Sequence, residues 1–112
     1  EKGLPFADNS CIEIFCTHVV EHVSDVIFLM NEFWRILKSE GILHIVCPEI
    51  NCTNAYIVTH IRQFNKRSFE MFSIDWQPKQ EFLQNYNVYP WIIKELLVNN
   101  RKDIHFKASP AK

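Results

Sequence analysis

Glycine is scarce: the 112 residues hold only 2, Gly3 and Gly41. A glycine-rich phosphate-binding loop needs several close together, because the backbone must approach the phosphates unobstructed. No such loop exists in this chain. Long apolar runs are missing too. The best, residues 26–30 and 42–47, fall far below the ~18 residues of a membrane span. No secretory segment is visible. Charge of one sign is also lacking. Twelve Lys+Arg against thirteen Asp+Glu give a net charge of −1, which provides no strong field toward nucleic acid or an anionic membrane. The basic residues near the end, Arg101, Lys102, Lys107 and Lys112, read as solvated surface. Four cysteines are too few for a disulfide-built mini-protein. Without a secretory segment they are expected to be reduced intracellular thiols, in a cytoplasmic protein.

What is present is globular. Apolar residues make up 47% and charged residues 22%, a balance that excludes disorder and collagen-like structure. A chain of this length has room for one modest core, burying roughly 65% of its unfolded surface.

Residues 11–16, CIEIFC, follow the turn-rich Ala7-Asp8-Asn9-Ser10 and read as a strand. Ser24 and Asp25 are N-cap candidates for a helix over residues 25–38. Within it Val26, Leu29, Met30, Phe33, Ile36 and Leu37 recur at helical spacing, and Gly41 follows as its terminator. Residues 42–47, ILHIVC, close on Pro48 and read as a strand buried on both faces. Strand, amphipathic helix and buried strand predict a βαβ crossover and an α/β fold. Beyond Pro48, residues 51–65 read as loop with some helix. Asn65 can cap a helix through residues 68–72. Residues 76–90 read as an insertion or loop, residues 91–98 (WIIKELLV) as a short helix, and residues 104–108 as a final strand.

One short motif carries possible chemistry. His18-Val19-Val20-Glu21-His22 matches H-x-x-E-H. On a helix both histidines would share a face and could hold Zn²⁺, with Glu21 as general base toward a metal-bound water. A third ligand would have to come from elsewhere, with Glu32 and Glu49 as nominal candidates. The pattern fixes only three positions, so the expectation is no metal site. Cys11/Cys16 and Cys47/Cys52 repeat C-x₄-C, but residues five apart on one strand point to opposite faces. Buried structural thiols are the expectation. His44 reads as a hydrogen-bonded strand histidine, and His60 and His105 have no partner that sequence can name. Trp34 reads as core. Trp76, Tyr86, Tyr89 and Trp91 suit either a pocket lining or core and lid packing.

The first 48 residues say more together. Leu4-Pro5-Phe6-Ala7-Asp8-Asn9-Ser10 leads into Ile12-Glu13-Ile14-Phe15-Cys16. Thr17-His18-Val19-Val20-Glu21-His22-Val23 follows, then Glu32, Arg35-Ile36-Leu37-Lys38, Gly41-Ile42-Leu43 and Pro48. This succession resembles the second half of a class I S-adenosylmethionine-dependent methyltransferase of the "type 11" kind. The family pattern reads LPF-x-D-x-S-FD-strand-HV-LEHV, then E-x-x-RVLKPGG and a strand ending in Pro.

The resemblance implies a partial Rossmann-like fold, from the fourth strand to the carboxyl end. The family's glycine-rich loop, its ribose-binding acid and its acidic adenine contact have no counterpart here. Residues 1–112 are thus expected to form one partial domain, matching the family over 1–50 and divergent over 51–112. The expected cofactor is S-adenosylmethionine, bound weakly or not at all by this piece alone. Cys16, Thr17 and His18 would face its methionine and sulfonium side, at a strand's carboxyl end. Leu4, Pro5 and Phe6 would flank the adenine. Glu21 and His22 would lie near the acceptor mouth, with His18 the residue best placed to meet an acceptor. The alternatives are a non-catalytic interaction module, whose partner covers an incomplete sheet, and, remotely, a zinc hydrolase.

Overall fold

The computed structural model describes residues 3–76 and 86–112. The chain runs β1 (Cys11–Thr17), a 3-10 turn (Val20–His22), α1 (Val26–Ile36), β2 (Leu37–Pro48), a second 3-10 turn (Thr53–Tyr56), α2 (Lys66–Glu70), β3 (Trp91–Val98) and β4 (Asp103–Pro110). The strands form one mixed sheet in the order β1-β2-β4-β3. β1 and β2 are parallel; β4 lies antiparallel to both β2 and β3. The expected α/β fold and its β1–α1–β2 crossover are therefore present.

α1 forms where an N-cap meets an amphipathic repeat. The Asp25 carboxylate accepts from the Phe28 N–H at 2.9 Å, satisfying one of the helix's orphan donors. Val26, Met30, Phe33 and Ile36 are buried and form the stripe that packs on the sheet. The helix ends at Ile36, short of the expected Lys38, because Leu37 turns extended and enters β2 directly.

Gly41 is consequently not a helix terminator. It sits inside β2 at an irregularity: Cys11 pairs with Leu37, and Glu13 already with Ile42. Residues 38–41 bulge out between these pairs. A Cβ on Gly41 would stand 2.7 Å from Leu37 Cδ2 and 3.0 Å from the Ile12 carbonyl oxygen, so close approach demands glycine here.

The second half corrects one reading. Residues 91–98 are strand β3, paired along β4 from Trp91↔Pro110 to Val98↔Ile104, and not a helix. Asn65 does cap α2, its side chain accepting from the Ser68 N–H while the Ser68 hydroxyl accepts from the Asn65 N–H. The reading of residues 76–90 as a loop falls largely on residues 77–85, outside the described residues.

The core lies on one face of the sheet. Leu43, Ile45, Cys47, Ile104, Phe106 and Ala108 are fully or almost fully buried there with Met30, Phe33, Phe64, Phe69 and Trp91. The alternate residues of β2, namely Ile42, His44 and Val46, are only half-buried. β2 is therefore not covered on both faces as expected, because no described helix packs on the second face. That open face carries Phe15, 69% exposed, with its ring stacked on His44 at 4.3 Å between centroids. The His44 ring also meets the Glu13 carboxylate at 2.7 Å. Among the described residues β1 has β2 as its single strand neighbour, and its outer edge is unpaired there.

Both ends of the described chain meet α1. Arg35 donates to the Leu4 and Phe6 carbonyls and to Asp8 and Glu32, while Glu32 accepts from the Leu4 N–H. Lys112 Nζ donates to the Trp34 carbonyl at 2.6 Å and lies 4.6 Å from the centre of the Trp34 ring.

Candidate functional site at the carboxyl end of β1

The parallel pairing of β1 with β2 ends at Thr17↔Val46. There the His18 N–H still donates to the Val46 carbonyl at 2.7 Å. The backbone then turns sharply, with His18 at φ 55°. That left-handed conformation is strained for a residue with a side chain and is enriched at functional sites. Because His18 lies in this turn and the helical turn begins only at Val20, H-x-x-E-H does not place its two histidines on one helix face.

The turn aims Glu21 inward. Glu21 is 1% exposed, and neither carboxylate oxygen has a hydrogen-bond partner among the described residues. Two imidazoles stand at ion-pair range: His18 Nδ1 at 3.6 Å and His60 Nε2 at 3.8 Å from Glu21 Oε2. His60 arrives on residues 59–62, which are stapled to the turn. The Ile61 N–H donates to the Glu21 carbonyl at 2.9 Å. His22 Nδ1 donates to the Thr59 carbonyl at 3.1 Å, and Arg62 donates to the Ser24 carbonyl at 2.8 Å. The His22 and His60 rings meet edge to face at 4.6 Å. Beneath them, burial pushes the Cys16 thiol up to about 11, with the nearby Glu21 charge adding to the effect. Burial likewise raises the Cys47 thiol.

The structure gathers Cys16, Thr17 and His18 with Glu21, His22 and His60. It does not bring Leu4, Pro5 and Phe6 to the same place. They lie beside Glu32 and Arg35, at the amino end of β1, roughly 20 Å away by strand rise. The two nominal third ligands are also engaged elsewhere: Glu32 with Arg35 and Leu4, and Glu49 with Asn51. Sequence reasoning missed His60. Thirty-nine positions separate it from Glu21 in the numbering, and no local spacing announces such a contact. Among the described residues the four aromatics do not converge on one pocket: Trp76 and Tyr86 line two separate open clefts. Trp91 is fully buried in the core, Tyr89 packs on Trp34, and Arg67 sits over Trp76 at 5.7 Å.

A family model described as a methyltransferase domain matches residues 1–45. The matched stretch contains β1, the His18 turn, α1 and most of β2, and it supports a class I S-adenosylmethionine-dependent methyltransferase-type domain. The four-stranded α/β sheet is compatible with part of that Rossmann-like fold. A search of curated proteins returns no match for the chain. No helix among the described residues is long and apolar enough to cross a membrane.

Proposed function

We propose that this chain supplies the acceptor-side half of an S-adenosylmethionine-dependent methyltransferase. The observation that carries the reading is the coincidence of the family match over residues 1–45 with a parallel β–α–β unit ending in the strained His18 turn. Ligands of open α/β sheets bind outside the carboxyl ends of the strands, where Thr17 and His18 lie. Both are exposed, and their hydroxyl and imidazole suit the polar methionine end of the cofactor. The neighbouring Cys16 is buried, so its backbone rather than its thiol is suited to contact.

S-adenosylmethionine supplies an activated methyl group on a sulfonium. The protein's part in such an in-line displacement is to align the donor and acceptor and keep water out. Thr17 and His18 would orient the donor, and the His18 ring, half-exposed, would border the acceptor. Leu4, Pro5 and Phe6 would flank the adenine, with the Phe6 side chain exposed.

Isothermal titration of S-adenosylmethionine tests the reading. It is run on the 112-residue chain and on the longer product of any open reading frame that continues upstream of Glu1. Binding by either supports the proposal, and silence from both overturns it.

The open second face favours one further reading, a non-catalytic interaction module. Phe15 is 69% exposed on that face, beside the edge of β1 that is unpaired among the described residues, and such surfaces favour added strands. Monodisperse monomer in sedimentation velocity would count against that alternative.

A further inference from the structure

We infer that Glu21, His22 and His60 form a binding site for one divalent transition-metal ion, with zinc the best-suited candidate. One ligand atom from each of the three lies within 4.8 Å of the others. His60 Nε2 and Glu21 Oε2 are 3.8 Å apart. Ligands of a tetrahedral zinc ion, bonded at ~2.0–2.1 Å, sit about 3.3 Å from each other. Contraction by about half an ångström would bring this pair to that spacing.

The independent sign of a ligand is the carboxylate itself. Glu21 is 1% exposed, yet both its oxygens lack a hydrogen-bond donor among the described residues. A buried carboxylate without donors is costly unless it is paired or coordinates a metal. The surrounding groups are imidazoles, whose neutral nitrogens suit zinc. His22 is already in the appropriate tautomer. Its Nδ1–H is used on the Thr59 carbonyl at 3.1 Å, leaving Nε2 with its lone pair. A backbone carbonyl holding the far nitrogen is the usual support for a metal-bound histidine. The site is also prebuilt, because the bonds from Ile61 to the Glu21 carbonyl and from Arg62 to the Ser24 carbonyl fix residues 59–62 against the turn.

Two histidines and one carboxylate make three protein ligands, which leaves a fourth tetrahedral position for water. His18 Nδ1 lies 3.6 Å from Glu21 Oε2, next to the ligand set. Metal binding needs neither methyl donor nor acceptor, so the inference stands or falls separately from the methyltransferase reading.

Zinc is titrated into the full 112-residue chain against a competing chelator. Stoichiometry is read by elemental analysis, and cobalt(II) is used as a spectroscopic substitute. The expected result is one ion per chain and a tetrahedral cobalt spectrum without thiolate charge-transfer bands. Glu21→Gln and His60→Ala should each weaken binding at least tenfold, while His105→Ala, on β4, should leave it unchanged. Circular dichroism confirms that the variants fold. Should either variant unfold, the wild-type cobalt spectrum decides by itself. Substoichiometric zinc, thiolate bands from the cysteines, or undiminished binding by a folded His60→Ala would each overturn the site.

Discussion

Arg35 Nη2 lies 2.9 Å from Glu32 Oε1, one turn earlier on α1, and together the two side chains grip the segment that enters β1. Glu32 takes the Leu4 N–H, while Arg35 takes the Leu4 and Phe6 carbonyls. Arg35 holds the Glu32 carboxyl below the usual carboxylate range, chiefly by hydrogen bonding. A lowered folded-state value means that this contribution to stability is complete above the ordinary glutamate value. It is lost as pH falls through the lowered one. Arg35→Gln should therefore flatten the acid limb of stability, as read from urea midpoints across a pH series. An unchanged acid slope would show that the pair does not set it.

Gly41 should resist even the smallest side chain. An added Cβ meets Leu37 and the Ile12 carbonyl in the bulge between β1 and β2, so either the backbone or the Leu37 side chain must shift. Gly41→Ala is expected to cost about 1–3 kcal/mol, the usual range for overpacking. Urea denaturation measures it, and a neutral result would mean that the bulge relaxes freely.

Phe106 is 1% exposed and packs 5.2 Å from the Phe69 ring, where β4 meets the α2 layer. Phe106→Ala should cost about 3–5 kcal/mol. That is a large share of the roughly 5–15 kcal/mol available to a small domain. Loss of the cooperative thermal transition, followed by circular dichroism, is the expected signature.

The cysteines should separate by reactivity. Burial pushes Cys16 up to about 11 and raises Cys47 as well. Since the thiolate is the nucleophile, both should resist iodoacetamide at neutral pH in the folded protein. Cys11, half-buried, should be alkylated first. Mass spectrometry with and without urea checks the order, and early labelling of Cys16 would contradict it.

The legible parts of the fold were those with strong local signals. Asp25 before an apolar stripe marked α1, and the β-branched and apolar runs around Ile14 and Ile45 marked β1 and β2. Residues 91–98 read as helix because Leu96 and Leu97 follow Ile92 and Ile93 at near-helical spacing. Pairing with β4 along their whole length overrides that weak preference, as strand formation depends more on neighbours than on intrinsic propensity. The site divides in the same way. His18, Glu21 and His22 were visible as a motif, but its helix-face logic failed at the His18 turn. His60 joins through a loop whose placement depends on three hydrogen bonds to the Glu21–Ser24 region, and no residue pattern encodes that contact.

The attachment of Leu4 and Lys112 to adjacent residues of α1 has a practical consequence. Fluorophores placed at these two positions, 108 apart in the numbering, would sit close together and respond to the same helical turn. Fraying of the last turn around Trp34 and Arg35 would separate both dyes at once. Rearrangement around His18, at the far end of β1, would pass unseen. Energy transfer between the pair would thus isolate the integrity of one helix end from events at the candidate site.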